Sequence, residues 1–413
     1  MHRAALLALS MIGTACSAQP QQTAPAGLQG PQGPQPAGAN APVPRDAPAD
    51  PSIRNVPATT GRANLPKTPP PFAVAEIGRF EAPFAMAFLP DGQLLVTEKA
   101  GRLMLRRADG AVPVGGVPSV AQGGQGGLLD VAIAPSFAQS RVIYLTYAEP
   151  RPNGGSSLAL ARGTLDAAGT TPALRDVTVI WRAGSDGPGG QYGATIAFAP
   201  DGRSLFLTSG ERQRFTPAQD PQQLLGKILR LTLDGKAWPG NPTYAKGGVQ
   251  AMTWTSGHRN PYGLVFTADG RLWEEEMGPK GGDELNLIEP GRNYGWPVVS
   301  NGDNYSGKPI PDHPSRPDLA APVLWWNPSI SPGGMIAYSG AMFPQYKGSL
   351  FIAALSDESL IRVAVDGARA AAKDQWDMGT RIRDVAQAPD GAIWLLEDGG
   401  KGAGGRLLRL TAK

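Results

Sequence analysis

Cysteine is almost missing: Cys16 stands alone in 413 residues, which excludes an intramolecular disulfide, a cysteine zinc site and an iron–sulfur cluster. Histidine is nearly as scarce. Of His2, His258 and His313, the first falls in the leader, so a multi-histidine metal centre is not expected. Charged residues are only 18% of the chain, the net charge is +3, and no Lys/Arg run occurs, so nucleic acid is not an expected partner. No apolar stretch approaches the roughly 20 residues that span a bilayer as a helix. What the chain does have is 54 glycines, 41 prolines and a hydrophobic share of 41%. Gly and Pro cost a helix interior about 1 and 3 kcal/mol relative to Ala, and no Gly-X-Y period points to collagen. Many short strands around a large core are what remains.

The first residues read as an address. Met1-His2-Arg3 precedes an apolar stretch, Ala4 to Ile12, that ends in small residues, the pattern of a secretory signal over 1–18. Gly13-Thr14-Ala15-Cys16-Ser17 also resembles a bacterial lipoprotein cleavage site with Cys16 as the lipidated residue; ordinary cleavage after Ala18 is the alternative. Either route places the protein outside the cytoplasm, in the periplasm or lipid-anchored to the cell envelope. Residues 19–71 are rich in Pro, Ala, Gln and Gly with almost no aromatics. Such a segment buries too little apolar surface to offset its ordering entropy, so a disordered tether is expected.

Within 72–413 one unit recurs: an apolar pair, a short step, Asp-Gly, then an alternating strand. It appears around Asp91-Gly92, Asp201-Gly202, Asp269-Gly270 and Asp390-Gly391, with weaker turns at Asp234-Gly235 and Asp366-Gly367. Asp-Gly between apolar strands signals a hairpin, because Gly takes positive φ without cost. Uneven intervals fit blades of roughly 40–50 residues carrying insertions. The expected fold is all-β, a six-bladed β-propeller behind a disordered N-terminal leader, since radial repetition leaves few exposed sheet edges.

Ligands of such a fold sit on the loops at one end of the central channel, and five loops stand out. Gln122–Asp130 is glycine-rich and admits close approach of a ligand or of another backbone. His258-Arg259-Asn260-Pro261 offers a guanidinium fork and an amide suited to a planar oxygen-rich anion, or else a turn-capping Arg. Glu276–Asn286 carries Gly278, Pro279, Gly281 and Gly282 ahead of Asp283 and Glu284, oxygen donors of the kind calcium takes, or an acidic solvated turn. Alternation puts Arg381 and Arg383 on one face, where two cations call for an anionic ligand or for structural carboxylates. Trp325-Trp326 and 328–334 are candidate cleft walls or core.

As an ordered set, Gly123–Asp130, His258–Pro261, Gly278–Glu284, Asn293-Tyr294-Gly295-Trp296-Pro297 and Arg381–Val385 resemble the soluble quinoprotein sugar dehydrogenases, the glucose/sorbosone dehydrogenase family, and within it the periplasmic aldose dehydrogenase branch. The resemblance covers nearly all of 72–413. It implies a propeller holding pyrroloquinoline quinone (PQQ) and calcium, and oxidation of the C1 hydroxyl of an aldose to a lactone by hydride transfer to the quinone. It further implies Gln125, Arg259, Asn260, Arg381 and Arg383 as PQQ contacts. Gly278 and Pro279 would serve as carbonyl ligands of the calcium beside the quinone, and Asp283, Glu284 and Tyr294 as a second, structural calcium site.

The same comparison exposes departures. Gln191 stands where the family has its base histidine, and glutamine takes no proton near neutral pH; losing a general base costs about 10²–10⁴-fold in rate. Thr195 stands for an Arg, Met277 for a His and Ser356 for a PQQ-contacting Lys. Neither His258 nor Tyr192 is an obvious replacement base. The expected partners are a sugar substrate and an electron acceptor of unknown identity, acting on a monomer or homodimer. The alternative is a catalytically impaired relative that binds carbohydrate or an envelope partner. A lactonase-like calcium chemistry is a more distant option.

Overall fold

The computed structural model describes residues 45–152, 154–185, 189–399 and 404–413. The expected signal at 1–18, the tether as far as residue 44 and Cys16 lie outside the described residues. The described strands form six four-stranded antiparallel sheets, the expected β-propeller.

In each blade the strands run in order from the channel outward. The innermost are Pro83–Phe88, Leu128–Ile133, Gly193–Phe198, Pro261–Phe266, Pro332–Ala337 and Ile382–Gln387. The sixth blade is closed by a strand from the other end of the chain: Phe72–Glu81 pairs antiparallel with Gly404–Ala412. Four of the inner hairpins use the Asp-Gly turn. In each, the glycine N–H donates back three residues, as Gly92 does to Leu89 and Gly202 to Ala199 (2.9 and 2.8 Å). Positive φ at Gly92 and Gly202 is what makes the turn possible without strain. The other two hairpins carry a one-turn helix, Phe137–Ser140, and a 3-10 turn, Pro344–Tyr346, which hid the repeat there.

Every inner strand has a register shift near its start. Three of the bulged residues use the freed side chain to tie blades together. Asp130 accepts from Ile196 N, Asp384 accepts from Met86 N (both 2.8 Å), and Thr195 donates to Tyr262 O at 2.7 Å. These side chains line a channel of about 230 Å³. Burial drives the carboxyls of Asp130 and Asp384 up, to about 6 and about 7, against the pull of the backbone N–H groups that bond them.

The tether expectation fails for 45–71. Ala63 N donates to Trp325 O and Trp325 N to Gly61 O (2.8 Å each), Thr68 N donates to Gln375 O at 3.0 Å, and Asp377 N to Thr68 O at 2.8 Å. The segment thus adds short parallel bridges to the outermost strands of blades four and five, Leu324–Trp326 and Arg369–Asp377. Its composition is too poor to form a core, but unpaired edge strands offer backbone partners, and pairing with them also covers the edges. Trp326 is fully buried and Trp325 lies under this segment, its Nε1 donating to Thr60 O at 2.7 Å. The two tryptophans are therefore core rather than cleft walls. Among the described residues no helix is long and apolar enough to cross a membrane.

Candidate functional site

The loops singled out in the sequence converge at one end of the channel. Gln125 Oε1 accepts from Gln191 N at 2.5 Å, joining the second blade's glycine loop to the third blade. Gln191 is buried, with φ in the left-handed region at 55°. With its amide turned to satisfy both neighbours, it donates to Glu211 and accepts from Arg259 Nη2 at 2.8 Å. Arg259 is itself buried. Its Nη1 donates to the carbonyls of Met277 and Gly278 (2.9 and 2.6 Å), and its guanidinium lies over the Trp296 ring. It makes no side-chain ion pair within 4 Å among the described residues, and its Nε finds no partner. Asn260 is fully buried, with Oδ1 accepting from Gly193 N at 3.2 Å. Glu276 accepts from the backbone N–H groups of both Arg259 and Asn260, and this fixes the direction of the pair.

Arg381 and Arg383 reach one another's space as alternation implies, but an internal acid is between them. Arg381 Nε donates to Asp398 Oδ2 at 3.0 Å, and Arg383 donates to Asp398 Oδ1 from Nε and Nη2 at 2.9 and 2.7 Å. The structural-carboxylate alternative is therefore realised. It does not neutralise the patch. Lys99 belongs to the same group, and its pKa is lowered by burial and by the charges of Arg383 and Arg381. Three cations face one carboxylate. Burial alone would raise Asp398; Arg383, Arg381 and Lys99 hold it below the usual range. Tyr262 links this group to the first: its hydroxyl is bonded to the Asn260 side chain and its ring lies 5.9 Å from the Arg383 guanidinium carbon.

The residues of the expected second calcium site, Asp283, Glu284 and Tyr294, lie at and after the third blade-four strand. Asp283 and Glu284 are neighbours in Asp283–Ile288, so their side chains leave opposite faces of the sheet. Asp283 Oδ1 accepts from Gly278 N, and Oδ2 accepts from Ser329 Oγ, Ile330 N and Ser331 N. Glu284 lies against His313 Nε2 at 3.0 Å and accepts from Asn286 Nδ2 at 3.2 Å. The Tyr294 hydroxyl donates to Leu287 O and accepts from Glu289 N. Each of the three side chains is thus held by protein groups, with Asp283 on the face away from Glu284. Gly278 and Pro279 are both buried, and the Gly278 carbonyl accepts from Arg259.

Neither substitute base is placed to act. His258 is fully buried between Glu276 and Thr255. The Tyr192 hydroxyl is held by Ser156 and Arg212 (2.5 and 3.2 Å). Glu211, Asp398, Tyr262 and Lys99 were missed in the sequence. Their adjacency to the site depends on loops from separate blades, and the one local hint was that Lys99 and Asp398 each directly follow a buried strand, Leu94–Glu98 and Ile393–Glu397. Beside Gln125 and Gly190 a cavity of about 570 Å³ opens, lined also by Ser156, Tyr192 and Gln213.

Comparison with known proteins agrees with this architecture. Residues 80–409 match the Glucose / Sorbosone dehydrogenase family. The aldose sugar dehydrogenase YliI of Escherichia coli is 38% identical over 347 residues, covering 81% of this chain and 91% of that protein. The crystal structure of the soluble aldose sugar dehydrogenase from Escherichia coli in its apo-form superposes with a TM-score of 0.76 at 36% identity, over 83% of this chain and 100% of that one. The PQQ-bound aldose sugar dehydrogenase of Streptomyces coelicolor does so with a TM-score of 0.66 at 30% identity, over 83% and 99%. On its blades, its converging loops and these similarities, the chain belongs to the glucose/sorbosone dehydrogenase family, in the branch of the soluble aldose sugar dehydrogenases.

Proposed function

We propose that the protein oxidises an aldose, or a related alcohol, at C1 to a lactone with PQQ and calcium. The observation that carries this reading is the cationic excess at the channel mouth: Lys99, Arg381 and Arg383 share one carboxylate, Asp398, while Arg259 has a buried Nε without a partner. A planar tricarboxylate supplies acceptors for such groups, and charge-assisted bonds to guanidinium forks are the strong ones. Gln125, Arg259, Asn260, Arg381, Arg383 and Lys99 would hold the cofactor, and the Gly278 and Pro279 carbonyls would hold calcium. The quinone, when bound, supplies the hydride acceptor. The chain's own residues orient the ring and balance its charge, and Trp296 and Tyr262 wall the site.

Spectroscopic titration of the purified protein with PQQ, with and without calcium, tests the assignment. Saturable binding strengthened by calcium, together with sugar-dependent reduction of an artificial acceptor, is the expected result. Lys99→Ala should weaken PQQ binding by about 10- to 150-fold, the worth of one charge-assisted hydrogen bond of about 1.5–3 kcal/mol. An unchanged affinity removes Lys99 from the site.

Gln191 favours a second reading. Its amide is engaged by Glu211 and Arg259 and offers no base. In that reading the chain binds PQQ and calcium without turning over sugars, and serves as a carbohydrate- or envelope-binding propeller. Bound PQQ with no turnover across a broad sugar panel selects it. The leader pattern of residues 1–18 supports export, with Cys16 as a lipid anchor; release into the soluble fraction by Cys16→Ser checks the anchor.

A further inference from the structure

Among the described residues four large hydrophobic side chains are exposed, Val56, Val74, Tyr244 and Tyr305, and Tyr305 is the most exposed at 67%. A single exposed ring is ordinary; the place and the support of this one are not. Its hydroxyl accepts from Arg259 Nη2 at 3.3 Å, the same nitrogen that bonds the Gln191 amide oxygen at 2.8 Å. Tyr305 is thus one guanidinium nitrogen away from Gln191, where the proposed oxidation puts the proton acceptor. The Arg259 guanidinium carbon lies 5.8 Å from the Tyr305 ring centroid and 5.3 Å from that of Trp296. Arg259 and Trp296 are both buried, so the Tyr305 ring leads from the floor of the site out to solvent.

The loop that carries this ring is fastened at several points. Lys280 N donates to Asp303 O and Asp303 N to Lys280 O (2.9 and 3.2 Å), which joins the loop to the turn holding Gly278 and Pro279. Asn304 N donates to Lys308 O and Gly307 N to Asn304 O (3.0 and 2.8 Å), closing a tight turn that includes Tyr305. Asn304 is buried, and its Oδ1 accepts from Ala47 N at 2.8 Å. Ala47 belongs to one small core with Trp296 and Ile310, and Lys308 pairs with Asp46 at 2.9 Å. The N-terminal segment therefore braces the turn. A backbone ordered in advance lowers the cost of binding to the ring it presents.

We propose that Tyr305 is a specificity-determining residue, an aromatic platform for the C–H face of a sugar whose C1 lies toward Gln191. The inference rests on the proposed sugar oxidation and names a contact within it. A pyranose with equatorial hydroxyls has a face of C–H groups and a polar rim. The negative face of an aromatic ring attracts such polarised hydrogens and removes their apolar surface from water. Asn304 acts through the ring's backbone: its bonds to Ala47 and Lys308 set the turn, which makes it a positioning residue.

The test is calorimetric titration of the full-length protein with glucose, galactose, xylose and maltose, before and after addition of PQQ and calcium. Tyr305→Ala should weaken binding of the sugars by about 2- to 12-fold, the worth of one aromatic contact. Tyr305→Phe keeps the ring and should stay close to the wild type. Asn304→Ala should reproduce part of the loss with an unaltered circular dichroism spectrum. Three outcomes overturn the proposal: a wild type that binds none of these sugars, a Tyr305→Ala variant that binds them as the wild type does, and a Tyr305→Phe variant that loses as much as Tyr305→Ala. The last would assign the effect to the hydroxyl. Sugar binding that depends on the ring in a protein that takes up no PQQ would uphold the platform and reject the quinone reading.

Discussion

At the scale of single residues the decisive position is Gln191. Its left-handed backbone is one that His tolerates better than most side chains, and Glu211 stands beside it to orient an imidazole and raise its basicity. Gln191→His is therefore expected to raise turnover with an aldose by about 10²–10⁴-fold over the parent, measured as acceptor reduction at saturating PQQ and calcium. High parent activity that the substitution leaves unchanged would show that another group takes the proton. Two other residues set a pH dependence. Asp130 and Asp384 titrate at about 6 and about 7 in the fold, against an ordinary 3.8. A folded pKa above the unfolded one means that the native state holds more protons between the two values. The stability the pair contributes is thus complete below about pH 4 and lost as pH rises through 6 to 7. Chemical denaturation should show the midpoint falling between about pH 4 and 7, with a shallower fall in Asp384→Asn; an equal slope in both proteins removes Asp384 as the source.

At the scale of elements, alternation and turn chemistry explain what was legible. Four Asp-Gly turns sit where the repeat placed them, because such a turn is written in adjacent residues. The same rule of alternation sends the side chains of Asp283 and Glu284 to opposite faces of their strand. The turn 277–282 is less forgiving than the hairpins. A Cβ on Gly278 would lie 2.3 Å from Gly282 O and 2.4 Å from Gly281 O, so Gly278→Ala must shift the carbonyls that face Arg259. Overpacking of this kind costs about 1–3 kcal/mol. The calcium concentration needed for half-maximal activity should rise by about tenfold or more, with circular dichroism confirming the fold. An unaltered calcium requirement would remove Gly278 from the cation site.

For the whole molecule, closure is the issue. The ring is joined by Phe72–Glu81 in the last blade, and Phe72 packs edge-on against Phe343 and Trp376 of the blade before it, with ring centroids 5.1 and 4.9 Å apart. Phe72→Ala should lower unfolding free energy by about 3–5 kcal/mol, read by denaturant titration. A loss below about 1 kcal/mol would mean that backbone pairing alone closes the ring. Within residues 45–71, expected from the sequence to be a loose tether, Arg62 and Thr68 bridge to the edges of blades four and five, because those edges hold unpaired backbone groups that no property of the segment itself reveals.

Strand class, hairpin positions and the identity of most channel-mouth residues were set by the sequence itself, since each depends on residues close together in the chain: an Asp-Gly step, a period of two, an Arg-Asn pair between Gly and Pro. Only the tertiary structure decided that Asp398 sits between Arg381 and Arg383, that Lys99 joins them, and that Glu211 and Arg259 engage Gln191. Those are contacts between loops and strands that the ring brings together, and their partners are defined by distance in space rather than by position along the chain.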